Sequence, residues 1–214
     1  MRNKWKSIGV STGLILLNVA VMGVIGVTPI ADLVLALFST LIVGVLVYGA
    51  ILTGGTYLAQ RGVENDDMTV AGIGVALLQV GYGSFGGALL SLAPASLFLP
   101  ILATTAAVTG VIAAGAAGLV YGTGRDFSGF RRYATYCFLG VLLFALIGTF
   151  TPALAVIAFL LALTGFLLLL VHEIWQTRTR PDRVLMNGIG IYNAFMGVFV
   201  HILRIVAEMY LRRE

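Results

Sequence analysis

The feature that most constrains this chain is a set of apolar runs of membrane length. From Ala153 to Val171 no residue is charged, and similar runs recur along the 214 residues. Crossing a hydrocarbon core of about 30 Å takes about 20 apolar residues in a helix. Inside lipid no water is present to satisfy exposed backbone N–H and C=O groups, so such runs must be helical. They are too long, and too free of period-two alternation, for barrel strands. Seven spans are expected, at residues 7–27, 32–60, 70–92, 98–121, 133–150, 153–175 and 184–210. Asp32 is the expected N-terminal cap of the second. The fold expected is an all-α membrane protein, a seven-transmembrane-helix bundle forming one domain over residues 1–214.

Composition agrees. Charged residues make up 10% and hydrophobic ones 59%, against about 25% charged in soluble domains. The 27 glycines suit helices that pack closely in lipid. Gly110, Ala114, Gly115, Gly118 and Gly122 recur at helical spacing and are expected to form a packing seam. Ser11–Gly13 and Gly83–Gly87 read as packing too. The basic start Met1–Lys6 resembles a signal peptide. It is read instead as the flank of the first span, because the chain opens at Met1 and a second span follows directly.

The basic residues set an orientation. Arg2, Lys4, Lys6, Arg61, Arg125, Arg131, Arg132, Arg178, Arg180 and Arg183 all fall on one side of a seven-span arrangement. The opposite loops carry no Lys or Arg before the last span. The positive-inside rule then places the N-terminus in the cytoplasm. Arg212 and Arg213 conflict with this, so the last span either crosses fully or re-enters and returns. The same distribution explains the positive net charge without nucleic acid as a partner; the bilayer is the partner expected.

Several chemistries find no residues. Cys137 is the one cysteine and His172 and His201 the two histidines. No paired-cysteine metal motif, His-Glu-x-x-His, phosphate loop or activated nucleophile is present. Neither an enzyme nor a cofactor is expected.

What remains is a small set of polar groups within the last two spans. Glu173 ends the sixth, near its cytoplasmic end. A carboxylate there costs less than the roughly 2.5–3.5 kcal/mol assigned to a charge at a helix centre. It is either an interfacial acid reaching water, or a titratable gate and calcium ligand facing the bundle. His172 is expected to be interfacial rather than its partner, since adjacent helical residues diverge by about 100°. In the last span Gly190, Asn193, Gly197, His201, Arg204 and Glu208 share one face. That face is either a structural polar seam or the lining of an ion path, with His201 its proton-sensitive group. Arg204 and Glu208, four apart, can pair. Gln79, Tyr82 and Ser84 in the third span admit the same two readings.

From Ala103 to Ala207 the chain resembles the transmembrane Bax inhibitor motif family, in particular its small prokaryotic calcium-leak members. Gly124-Arg125-Asp126-Phe127-Ser128 resembles the family's basic-Asp-Phe-Ser loop. Glu173-Ile174-Trp175-Gln176 is similar to its Asp-x-x-Gln, with Glu for Asp. Tyr192, Phe195, Phe199, Leu203 and Arg204 are similar to the pattern of its last helix. The resemblance implies a pH-sensitive calcium leak in a prokaryotic cell membrane, latched by two aspartates that share a proton. This chain departs from that arrangement, because Ala194 stands where the second aspartate would be. A surviving latch is expected to join Glu173 to Arg61, with Asn193 as a hydrogen-bonding neighbour. The function expected is a leak for cations, calcium or protons, gated near the cytoplasmic ends of the last two spans. The alternative is a non-conducting regulator that binds other membrane proteins such as proteases, with the small-residue stripe facing lipid.

Overall fold

The computed structural model describes residues 2–148 and 151–212. The expected end of the fifth span at Phe150, and Arg213, lie outside the described residues. Among the described residues the fold is 88% helical without strands, and seven helices are long and apolar enough to span a membrane. In order they are α1 (Arg2–Gly26), α2 (Ile30–Leu37), α3 (Leu41–Glu64), α4 (Met68–Ser91), a 3₁₀ turn (Ala95–Leu97), α5 (Phe98–Thr123), α6 (Phe130–Gly148), α7 (Pro152–Thr179) and α8 (Val184–Leu211).

The second span departs from expectation. An unbroken helix over residues 32–60 is replaced by the short α2 and the spanning α3. Thr40 is extended between them, and Phe38 folds back until its ring fills the space beside Gly44. There it stacks near Phe85, with ring centres 5.1 Å apart, and near Tyr48 at 6.2 Å. Packing that half-buried ring on Tyr48 and Phe85 accompanies the break in the helix. Asp32 is therefore not a cap; it lies in the first turn of α2, where its charge favours the helix dipole. Asp67 does cap α4, accepting from Thr69 and Val70 N–H at 3.0 Å each.

α4 and α8 form the centre, with over half of their apolar windows buried against under a quarter in every other span. α1, α5 and α7 pack around α8, and α1 and α3 around α4. Tyr82, Leu78, Leu90, Tyr192, Phe199 and Met22 are fully enclosed. The bundle's outside is apolar: Leu99 and Val111 on α5 are 76% and 73% exposed, which suits lipid and not water. α8 is one unbroken 28-residue helix, about 42 Å long. A re-entrant segment would need a reversal that α8 lacks.

Glycine serves as expected at Gly83–Gly87 on α4, where side chains added at Gly83, Gly86 and Gly87 would run into Val21, Met22 and Ile25 of α1; one at Gly74 would run into the α3 backbone at Ala59 and Gly55. The α5 seam does not pack. Side chains added at Gly110, Gly115, Gly118 or Gly122 would meet nothing within 4 Å, and these residues and Ala114 are exposed. Gly13 is likewise open. Spacing alone defines a stripe; which side of the helix meets neighbours depends on how α5 is rotated in the bundle.

Candidate functional site

The site forms at the end of the bundle rich in basic residues, where α7 meets α8. α7 continues without a break to Thr179, well past its apolar run, so Glu173 is carried on rigid helix. Its side chain is buried, 8% exposed, and turns toward α8. Opposite stands Gly190, and the Glu173 carboxylate occupies the place where a side chain at that position would be. Beside it lies a cavity of about 150 Å³, whose polar wall is Thr56, Gln60, Arg131, Thr135, Glu173 and Asn193. α3, α6, α7 and α8 each supply part of it.

Glu173 and Asn193 thus share one wall, while Ala194 is fully buried elsewhere on α8. Arg61 does not belong. It is exposed at the last turn of α3 and outside the cavity lining, whereas Gln60 and Thr56 on the same helix line it. The 100° step between adjacent residues turns Arg61 away when Gln60 points in. The cation at the site is Arg131, from the first turn of α6.

The α8 stripe divides. Asn193, Gly197 and His201 are buried, but Arg204 and Glu208 are exposed. They pair as expected, Arg204 Nε to Glu208 Oε1 at 3.1 Å, with side chains 50% and 52% exposed. The helical face is the same; the neighbours differ, and on the α7 side Arg204 covers the ring of Phe159 at 5.2 Å. His201 lies 11 residues, roughly 16 Å, along α8 from Gly190. Its Nδ1 is 2.7 Å from the Gly197 carbonyl and its ring packs between Phe159 and Phe166. Neither His201 nor Arg204 reaches the Glu173 cavity.

His172 is not interfacial in the sense expected. It is 4% exposed and holds the Phe127 carbonyl through Nδ1 at 3.2 Å. Arg178 does the rest of the fastening. It donates to the carbonyls of Val120, Gly124 and Arg125, the free acceptors at the end of α5. Gly124 adopts the left-handed conformation (φ 65°) that ends the helix. Asp126 accepts from Ser128 N–H at 2.8 Å. That bond from the Ser128 backbone holds the exposed Asp126 carboxyl below its ordinary range. The 124–130 loop is thereby clamped to α7 on the residues flanking Glu173, which delivers Arg131 to the cavity.

A second polar group sits deeper. Asn18 Nδ2 donates to Gln79 Oε1 (2.7 Å), Gln79 O (3.1 Å) and Tyr192 Oη (3.0 Å), while Gln79 Nε2 donates to Leu14 O (3.0 Å). Tyr82 Oη donates to Asn193 Oδ1 at 2.8 Å, tying this core to the cavity. Asn18 stands in the sequence as an isolated amide within an apolar span, outside the periodic polar face of the last span. Arg131, Thr135, Thr56 and Gln60 gave only a weak signal, Thr56 and Gln60 being four apart on α3.

Comparison with models of protein families, with curated proteins and with solved structures gives no match. No group of three or more His, Cys, Asp or Glu side chains suited to a metal occurs among the described residues. A cation at Glu173 would meet one carboxylate, with the side-chain oxygens of Thr56 and Gln60 on the same wall.

Proposed function

We propose that this protein passes cations, calcium among them, across a prokaryotic cell membrane, with its N-terminus cytoplasmic and its gate where α7 meets α8. The observation that carries the reading is the placement of Glu173: a buried acid without an ion pair, pressed on a glycine and bordering a polar cavity. Buried acids inside membrane proteins are costly and mark ion or proton paths. As the neutral acid, Glu173 packs dry against Gly190 and the two helices close. As the carboxylate, it draws water and a cation into the cavity and loosens the contact. One acid suffices for this, so the second acid missing at Ala194 changes the pH response rather than removing it. The resemblance to the transmembrane Bax inhibitor motif family supports the same reading.

The test is calcium entry into liposomes holding the purified chain, followed across pH with an enclosed indicator. Glu173→Gln should flatten the pH response. Flux and pH response equal to wild type would remove Glu173 from the mechanism.

One observation favours a second reading, a non-conducting regulator of other membrane proteins. The exposed stripe from Gly110 to Gly122 on α5 offers a close-approach surface for a partner helix. Absence of flux at every pH, with a stable complex that Gly115→Leu disrupts, would decide for it.

A further inference from the structure

The cavity beside Glu173 carries two opposite charges that do not meet. Among the described residues the ion pair is Arg204 with Glu208. Outside the helical ladder, Glu173 and Arg131 take part only through their backbone carbonyls, which accept from Thr177 and Thr135 at 3.0 Å each. Both residues line one space, Glu173 buried beside it and Arg131 exposed. A passing cation has use for Glu173 but is repelled by Arg131; a simple anion meets the reverse. Both charges act on whatever enters that space, so the occupant that satisfies both walls carries both signs.

Size and neutral groups narrow it further. About 150 Å³ equals the liquid share of about five water molecules, far below a drug-sized pocket. Asn193 spends its side-chain oxygen on Tyr82, which leaves its N–H groups for an acceptor. Thr56 and Gln60 can donate or accept, while Thr135, whose proton goes to the Arg131 carbonyl, can accept. Arg131 offers the paired N–H groups that suit a carboxylate.

We propose that this cavity binds a small zwitterion, an α-amino acid of glycine or alanine size, with its ammonium on Glu173 and its carboxylate on Arg131 and Asn193. Binding does not depend on the cation-path reading, because it is measured without flux. If both hold, a bound amino acid covers Glu173 and lowers cation passage.

The experiment is equilibrium binding of labelled glycine and alanine to the full chain in detergent, with acetate, ethylammonium and calcium chloride as competitors. Saturable binding is expected, with each single-charge competitor at least about tenfold weaker than the unlabelled amino acid. Arg131→Gln and Glu173→Gln should each weaken binding by about tenfold or more, while Arg61→Gln leaves it unchanged. Circular dichroism checks that the variants fold, and the competitor series needs no variant at all. Failure of wild-type chain to bind either amino acid would overturn the proposal. Ethylammonium competing as well as alanine would overturn it too, as would wild-type binding by folded Arg131→Gln.

Discussion

Two glycines make close contacts of different kinds, and the difference has a size. At Gly74 an added methyl would run into the Ala59 nitrogen and lie 2.6 Å from the Gly55 carbonyl oxygen, both backbone of α3. Backbone cannot step aside, so Gly74→Ala must push α3 and α4 apart at the centre of the bundle. Overpacking of that kind costs about 1–3 kcal/mol and occasionally more. At Gly190 the obstacle is the Glu173 carboxyl, the far end of a flexible side chain with a cavity beside it. There the chain can turn to another rotamer, for about 0.5–1.5 kcal/mol. Gly190→Ala should therefore be the milder change in stability and the stronger one in function, since it moves the acid itself. Denaturant unfolding in detergent reads the first quantity, and liposome flux across pH the second. In a Glu173→Ala background the penalty of Gly190→Ala should largely vanish, because neighbours in contact are not additive. A Gly190→Ala penalty equal to that of Gly74→Ala, or one that persists without Glu173, would refute the argument.

Three further outcomes are expected. Arg178→Ala strips the end of α5 of a charged donor to three carbonyls; a loss of about 1.5–3 kcal/mol, with faster proteolysis at residues 124–130, would be seen in detergent. Asn18→Leu leaves the Gln79 oxygens without their donor but also removes Asn18 Oδ1, which has no partner; a net loss of about 1–3 kcal/mol in unfolding is expected, and a stability gain would argue against the network. Breaking the exposed Arg204–Glu208 pair with Arg204→Gln should cost no more than about 0.5 kcal/mol and leave the pH response of flux intact, and a change in that response would return Arg204 to the ion path.

The seven spans, their helical character and the polar nature of one α8 face were readable from residues alone, because the penalty for bare backbone or charge in lipid applies wherever the chain sits. The bend at Phe38 was not readable: Phe38, Ser39 and Thr40 include neither proline nor glycine, and only the aromatic cluster with Tyr48 and Phe85 explains it. Likewise the cation beside Glu173, expected to be Arg61, was decided by packing. Arg61 ends α3 and Arg131 begins α6 at the same end of the bundle, and the 124–130 clamp on α7, together with the rotation of α3, brings Arg131 rather than Arg61 to the cavity of Glu173.

Sequence by itself determined that this chain holds seven membrane-length apolar runs and that Glu173 would be costly wherever water did not reach it, since both follow from transfer costs that need no neighbours. Tertiary structure alone decided which helix each face meets. It turned the α5 glycines outward, left Arg204 at the surface, and set Glu173 on Gly190 beside Arg131. The physical reason is that helical spacing gives each residue an angle about its own axis, while the rotation of one axis against another is set by packing of the whole bundle.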